Sequence, residues 1–191
     1  MPQSVASDPE YLFLPKIERL KTILDHRQIA LVIKRLAHQV LENHTDCRNT
    51  VIIGIQPRGI FLSDRLYGEL CNETTTPPLY GKLDITFYRD DIRKGIHIAN
   101  QTDIPFSIEG KNVVLIDDVL YTGRTTRAAL DALMDFGRPE KVELLVLVDR
   151  RYSRQLPIQP DYTGKTIDSI VSQHVKVNWA PDKNEVVLRD Q

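Results

Sequence analysis

Apolar residues recur at helical spacing between His26 and Asn43, where Ile29, Val32, Ile33, Leu36, Ala37, Val40 and Leu41 share one stripe. Asp25 stands just before that stripe and Gln28 three residues on, a capping-box pair that predicts where the helix starts. Val51-Ile-Ile-Gly-Ile55 is a continuous apolar run, the mark of a strand covered on both faces. A turn, Gln56-Pro-Arg-Gly59, follows it, and residues 60–71 read as a helix carrying Ile60, Leu66, Tyr67 and Leu70. The unit repeats as strand Val113–Ile116, turn Asp117–Thr122 and helix Arg124–Phe136, with Gly137 as its C-terminal stop. Val142–Val148 is a further buried strand. Strands and helices alternating in this way predict an α/β fold with a parallel core sheet flanked by helices.

The remaining segments carry weaker patterns. Leu79–Tyr88 has strand character, whereas Arg89–Phe106 is polar and aperiodic, predicting a long mobile loop that can act as a lid. Val175–Trp179 and Glu185–Leu188 flank Pro181-Asp-Lys-Asn184 and predict a hairpin. Residues 1–20, with Pro2, Pro9 and Pro15 and no sustained period, read as an N-terminal arm, leaving 21–191 as a single domain.

Composition narrows the function classes. The chain has 191 residues, 41% hydrophobic and 27% charged, as expected for one folded core. No apolar run is long enough for a membrane helix, and Met1–Glu10 lacks the basic and apolar regions of a secretion signal, so a cytoplasmic location is expected. Cys47 and Cys71 are far apart, which supports neither a zinc site nor a disulfide framework. Lys plus Arg total 25 against 26 for Asp plus Glu, so any nucleic-acid or anion site must be local.

The chemistry concentrates in Val113-Val-Leu-Ile-Asp-Asp-Val-Leu-Tyr-Thr-Gly-Arg-Thr125. Ligands of open parallel sheets collect where the strands end, and two acids stand there together. Adjacent side chains on a strand point to opposite faces, so Asp117 and Asp118 can divide the work, one meeting a diol and the other water, metal or an amide. Thr122-Gly-Arg-Thr125 then opens a helix whose free amides and dipole suit a phosphate monoester. Taken singly, an Asp pair merely ends a strand and Thr-Gly-x-Thr caps a helix. Joined, they match a ribose 5-phosphate.

This segment resembles the phosphoribosyl diphosphate (PRPP) signature of type I phosphoribosyltransferases. Val51–Ile60, Leu83–Asp91, Val119–Thr125, Leu147–Arg150, Leu156–Ile158 and Gly164-Lys165 extend the likeness over about residues 24–180, toward the branch that couples uracil phosphoribosyltransferase activity to regulation of pyrimidine genes. The resemblance implies the type I phosphoribosyltransferase fold with a small hood built from sequence near both ends. It implies that Asp117 and Asp118 hold the ribose hydroxyls and, partly through water, Mg2+, while Thr122, Gly123, Arg124 and Thr125 cradle the 5-phosphate and Val119, Leu120 and Tyr121 complete the PRPP-binding segment. Pro57, Arg58 and Gly59 resemble a pyrophosphate-gripping loop, with a non-trans Pro57–Arg58 peptide, Arg58 as a catalytic group beside the two acids and Gly59 allowing close backbone approach. Arg89 is the expected lid contact to pyrophosphate, ahead of Arg93 and Lys94.

The branch uses PRPP and uracil and makes UMP and diphosphate. Related purine enzymes place an aspartate just before Thr-Gly. Tyr121 stands there in this sequence, and a phenol with a reference pKa of about 10 cannot replace that base at neutral pH. Uracil is then expected to be read near Val148, Asp149 and Arg150, taken to follow the last core strand. Hypoxanthine or orotate remains an alternative base.

A second class of function is an mRNA leader-binding attenuator, with or without appreciable turnover. Arg27, Lys34 and His38 share one helix stripe with Arg35 nearby, and either RNA or plain solvent can face such a stripe. The resemblance adds Arg151 and Arg154 to the RNA surface. This chain departs from the branch there, with Lys34 where Thr is common and Arg151-Tyr-Ser-Arg154 in place of Gly-His-Arg. A homo-oligomer is also implied by resemblance.

Overall fold

A computed structural model describes residues 20–89, 100–170, 172–180 and 183–190. Its core is a five-stranded sheet built from β2 (Thr50–Ile55), β3 (Leu79–Leu83), β4 (Asn112–Leu120), β5 (Lys141–Arg151) and β6 (Tyr162–Asp168) in the order β3-β2-β4-β5-β6. Every neighbouring pair is parallel. Helices α1 (His26–Asn43), α2 (Gly59–Glu73) and α3 (Arg124–Leu133) complete the layers. The expected capping box is present: Asp25 accepts from the Gln28 amide at 2.8 Å, and Gln28 accepts from the Asp25 amide at 2.9 Å.

The period of two along the strands sorts the core. Ile52, Val114, Ile116, Leu145 and Leu147 pack under α1 and α2 against Ile29, Leu36, Leu62 and Leu66. Their neighbours Val51, Ile53, Val113 and Leu115 face the other way, against Ala128, Ala129, Ala132 and Leu133 of α3. The chain leaves β2 through α2 toward β3 on one side and leaves β4 through α3 toward β5 on the other. The ends of β2 and β4 therefore flank a topological switch point, where open α/β sheets form their ligand crevice.

A second sheet, order β1-β8-β7, is the hood: β1 (Leu20–Leu24), β7 (Gln173–Asn178) and β8 (Glu185–Asp190) are antiparallel. It unites both ends of the domain as expected, and the hairpin is β7–β8. Leu20, expected as part of an N-terminal arm, belongs to β1, and residues 1–19 lie outside the described residues.

Several boundaries differ from the sequence reading. The strand expected to end at Ile116 continues to Leu120, because β5 also runs on and pairs Asp117 with Val146, Val119 with Val148 and Leu120 with Asp149. Both acids thus lie in the strand, and the turn begins after it. β5 ends at Arg151 and is followed in the sheet by β6, so Val148, Asp149 and Arg150 lie within a strand that is not the last. The α3 region stops at Leu133, with a 3-10 turn over Met134–Phe136 before Gly137. Part of the expected mobile loop is pinned: Asp103 exchanges backbone bonds of 2.8 Å with Lys82, and Ile104 and Phe106 pack on the core. Residues 90–99, with Arg93 and Lys94, lie outside the described residues.

Candidate functional site

The crevice at the end of β4 has a volume of about 430 Å3 and is lined by Arg89, Asp117, Val119–Thr126 and Gln155. It gathers the expected phosphate loop and one of the two acids. The strand's alternation sends the other acid across the sheet: Asp118 meets Arg58, whose Nε donates to Asp118 Oδ2 at 2.9 Å. The same guanidinium donates to the Val177 carbonyl of β7 at 3.0 Å, tying the loop after β2 to the hood.

Both acids are buried, and Asp117 Oδ1 accepts from the Asp118 amide at 2.8 Å. Burial, with the Asp118 carboxylate beside it, pushes the Asp117 carboxyl well above its ordinary range, against the opposing pull of that amide, Arg58 and Arg89. Such a group favours a proton, a hydroxyl donor or a cation near it.

The helix start behind the loop is open. Gly123 takes φ +92°, a left-handed conformation suited to glycine, and offers no side-chain cap. The first helical bond is Arg127 N–H to the Gly123 carbonyl at 2.9 Å. Arg124 N–H makes a long 3.4 Å contact to Thr122 Oγ1, and the amides of this first turn stand at the positive end of the α3 dipole. Thr126 Oγ1, in this lining, is buried without a hydrogen-bond partner among the described residues. A buried hydroxyl, the first-turn amides and an uncapped dipole form a set of donors for an anion.

Sequence reasoning missed Thr126 and Gln155. The first was legible as the second residue of a Thr-Thr pair one helical position inside the loop; nothing local marks Gln155. Arg89 reaches the loop, with its guanidinium 3.5 Å from Thr125 Oγ1. Gly59 lies against the backbone of β4, where an added Cβ would lie 2.5 Å from the Ile116 carbonyl oxygen. The cis peptide precedes Pro57, at Gln56–Pro57, rather than following it.

The residues expected to read a base are differently placed. Val148 is fully buried, and its backbone belongs to the ladder on both sides, opposite Val119 and Lys165. Asp149 pairs with Arg154. Arg150 is 3% exposed and lies under the Tyr121 ring, 4.0 Å from its centroid, while donating to Ser169 Oγ and the Gln173 carbonyl, both at 2.8 Å. The side chain that precedes Thr-Gly is thus stacked on a buried cation.

On the far side of the 154–158 segment lies a second cleft of about 680 Å3, which includes Asp149, Arg151, Tyr152, Arg154 and Thr163. Arg151 makes a two-point pair with Asp168, and Tyr152 is 80% exposed. Arg27, Lys34, Arg35 and His38 are exposed on α1, and Arg35 donates to the Thr163 and Gly164 carbonyls at 3.1 and 2.7 Å. Among the described residues no helix is long and apolar enough to cross a membrane.

A crevice at the switch point, with twin acids on one strand and an anion-binding helix start behind them, defines a phosphoribosyltransferase, and the chain belongs to that family: the model described as "Phosphoribosyl transferase domain" matches residues 19–182. Solved structures agree on the fold. A hypoxanthine phosphoribosyltransferase from Staphylococcus aureus matches with TM-score 0.63 and 23% identity over 78% of this chain and 79% of that one. One from Trypanosoma cruzi matches with TM-score 0.63 and 20% identity over 78% of both. Among curated relatives, the chain is 42% identical over 172 residues to Bifunctional protein PyrR of Elusimicrobium minutum, covering 88% of this chain and 96% of that protein. It is 47% identical over 158 residues to Bifunctional protein PyrR of Pelotomaculum thermopropionicum, covering 81% and 86%. Within the phosphoribosyltransferases it therefore belongs with the PyrR proteins.

Proposed function

We propose that this protein transfers the 5-phosphoribosyl group of PRPP to uracil, forming UMP and diphosphate in the cytoplasm. The observation that carries the reading is the junction of Asp117 with an uncapped helix N-terminus in one crevice, with Asp118 beside it on β4 facing Arg58. In this reading the amides and hydroxyls of Thr122–Thr126 hold the 5-phosphate, and Asp117 accepts from the ribose diol. Arg58 has a fork of donors suited to diphosphate oxygens once it exchanges Asp118 or the Val177 carbonyl for them. The anomeric C–O bond breaks, diphosphate leaves with the electron pair, the C–N bond to uracil N1 forms, and the N1 proton passes to solvent or diphosphate. Positioning and electrostatics supply the rate, and the hood and the loop carrying Arg89 keep water from the anomeric carbon.

The residues fit a Mg2+ ion that arrives with substrate. Among the described residues no group of three or more His, Cys, Asp or Glu side chains could hold an ion unaided, whereas Asp117 and Asp118 offer the one or two carboxylates that Mg2+ combines with substrate oxygens. When bound, the ion neutralises charge developing on the leaving diphosphate.

Tyr121 supports uracil over purines, since its ring occupies the position before Thr-Gly and rests on Arg150. Assaying PRPP and Mg2+ with uracil, hypoxanthine and orotate tests this. UMP is the expected product, and a faster rate with hypoxanthine overturns the base assignment.

One observation favours RNA binding as a second function. The Arg35 bonds to Thr163 and Gly164 set the exposed α1 stripe beside the cleft that carries Arg151 and the exposed Tyr152, combining cations with an aromatic face for an unpaired base. Calorimetry with a pyrimidine leader hairpin, with and without UMP, should show saturable binding at moderate salt; none removes this function. Self-association, which the resemblance implies, is read out by light scattering.

A further inference from the structure

We propose that Arg154 is a positioning residue for the phosphate loop, the charged end of a strap that turns the loop's amides toward the ligand. The inference rests on the PRPP reading above. Arg154 follows β5, and its guanidinium spans the Asp149 carboxylate and the carbonyl of Tyr121. Its side chain is 21% exposed and that of Asp149 13%, whereas the side chain of Arg151 is 54% exposed. Arg154 is therefore turned inward to this pair of partners, while it also borders the cleft that carries Arg151 and Tyr152.

The residues after Arg154 take up the loop one position at a time. Gln155 and Leu156 N–H both donate to the Thr122 carbonyl, at 3.0 and 3.2 Å. Leu156 and Ile158 side chains lie where a Cβ on Gly123 would touch, at 3.4 and 3.2 Å. Gln155 Oε1 accepts from Arg124 Nε at 2.8 Å. Gly123, the residue that precedes α3, has no side chain to cap the helix and set the loop's shape.

Peptide geometry converts these contacts into a function. Across a trans peptide the carbonyl and the next N–H point in opposite directions. With the Tyr121 carbonyl held by Arg154, the Thr122 N–H faces away from that guanidinium, and Thr122 lines the crevice. With the Thr122 carbonyl held by Gln155 and Leu156, the Gly123 N–H likewise faces away from their amides. Among these contacts, that of Arg154 is the one anchored by charge to the core sheet, through Asp149 on β5. Losing it frees the first peptide of the loop to rotate, weakening ground state and transition state alike because both use the same phosphate contacts.

The test is steady-state kinetics and calorimetry on full-length R154Q and R154K, with R48Q as a remote charge control. Arg48 is an exposed partner of Asp46, and its change should leave every parameter at the wild-type value. R154Q should raise KM for PRPP and Kd for UMP roughly tenfold to a hundredfold, the range for losing a charge-assisted hydrogen bond, with kcat within about threefold. R154K, which keeps the charge but not the fork, should recover part of that loss. If R154Q does not fold, D149N removes the anchor instead and should shift the same parameters in the same direction. Unchanged KM and Kd in a folded variant overturn the proposal, as does a fall in kcat and melting temperature with KM constant. Ribose 5-phosphate binding separates the two readings. If wild type makes no UMP but binds ribose 5-phosphate and R154Q binds it more weakly, the uracil reading fails and the strap stands. Equal binding by both variants removes the strap whatever the base.

Discussion

Arg58 and Asp118 meet across the switch point, Nε to Oδ2 at 2.9 Å, and the Arg58 bond to the Val177 carbonyl extends the contact into the hood. One guanidinium thus joins the loop after β2, the end of β4 and the second sheet. Asp118→Asn keeps the shape and removes the charge, so Arg58 loses its ionic partner and the end of β4 a carboxylate. Turnover should fall at least about a hundredfold, in line with the loss of one preorganised electrostatic group. Steady-state rates check it, and a wild-type rate would assign the role elsewhere.

Asp117 should show opposite effects on stability and activity. Its carboxyl is raised by burial and by Asp118, so the folded state binds the proton more tightly than the unfolded chain does. The ionised form is destabilising above the folded pKa, and that penalty is relieved as pH falls through it. Asp117→Asn should raise the melting temperature of the unliganded protein at neutral pH, the gain shrinking on acidification. Activity should drop at least about a hundredfold. A lower melting temperature at neutral pH would refute the sign.

Gly59 sits where α2 begins against β4. A Cβ there would stand 2.5 Å from the Ile116 carbonyl oxygen and 3.1 Å from Asp117 Cα, contacts that only backbone movement relieves. Gly59→Ala should cost about 2 kcal/mol, as overpacking does, and lower activity by displacing Asp117. Gly68, farther along α2, has nothing within 4 Å of an added Cβ. Gly68→Ala should instead stabilise by about 0.5–1 kcal/mol through helix propensity. Denaturant melts of both variants provide the comparison.

Glu143 lies at the opposite end of the sheet, accepting from His44 Nε2 at 2.6 Å, Tyr162 Oη at 3.0 Å and the Lys141 ammonium. Burial pushes its carboxyl up, but the bonds from Lys141, His44 and Tyr162 together outweigh burial and leave it lowered. Its stabilisation is fully present above the ordinary value of 4.5 and disappears as pH falls through the lower folded value. Glu143→Gln should therefore be less stable than wild type at neutral pH, with the gap closing below about 4.5 in pH-dependent unfolding. A gap constant with pH would show that ionisation plays no part.

What the sequence could determine alone were features whose causes lie within a few residues. The Asp25/Gln28 box set the start of α1, apolar runs marked β2 and the first half of β4, and the joined acid and Thr-Gly-Arg-Thr pattern located the crevice. Tertiary structure decided everything whose partner is distant in the chain. The polar ends of β4 and β5 are strand because each supplies the other's ladder, so Asp117, Asp118, Asp149 and Arg150 became strand residues rather than loop residues. β6 has few buried positions of its own and is an edge strand defined by pairing with β5, with Gly164 letting the Leu147 carbonyl approach where a Cβ would lie 2.4 Å away. The direction of a long cation was undetermined for the same reason. Arg154 looks like a surface charge in one dimension, and only folding brings Asp149 and the Tyr121 carbonyl together to turn it inward.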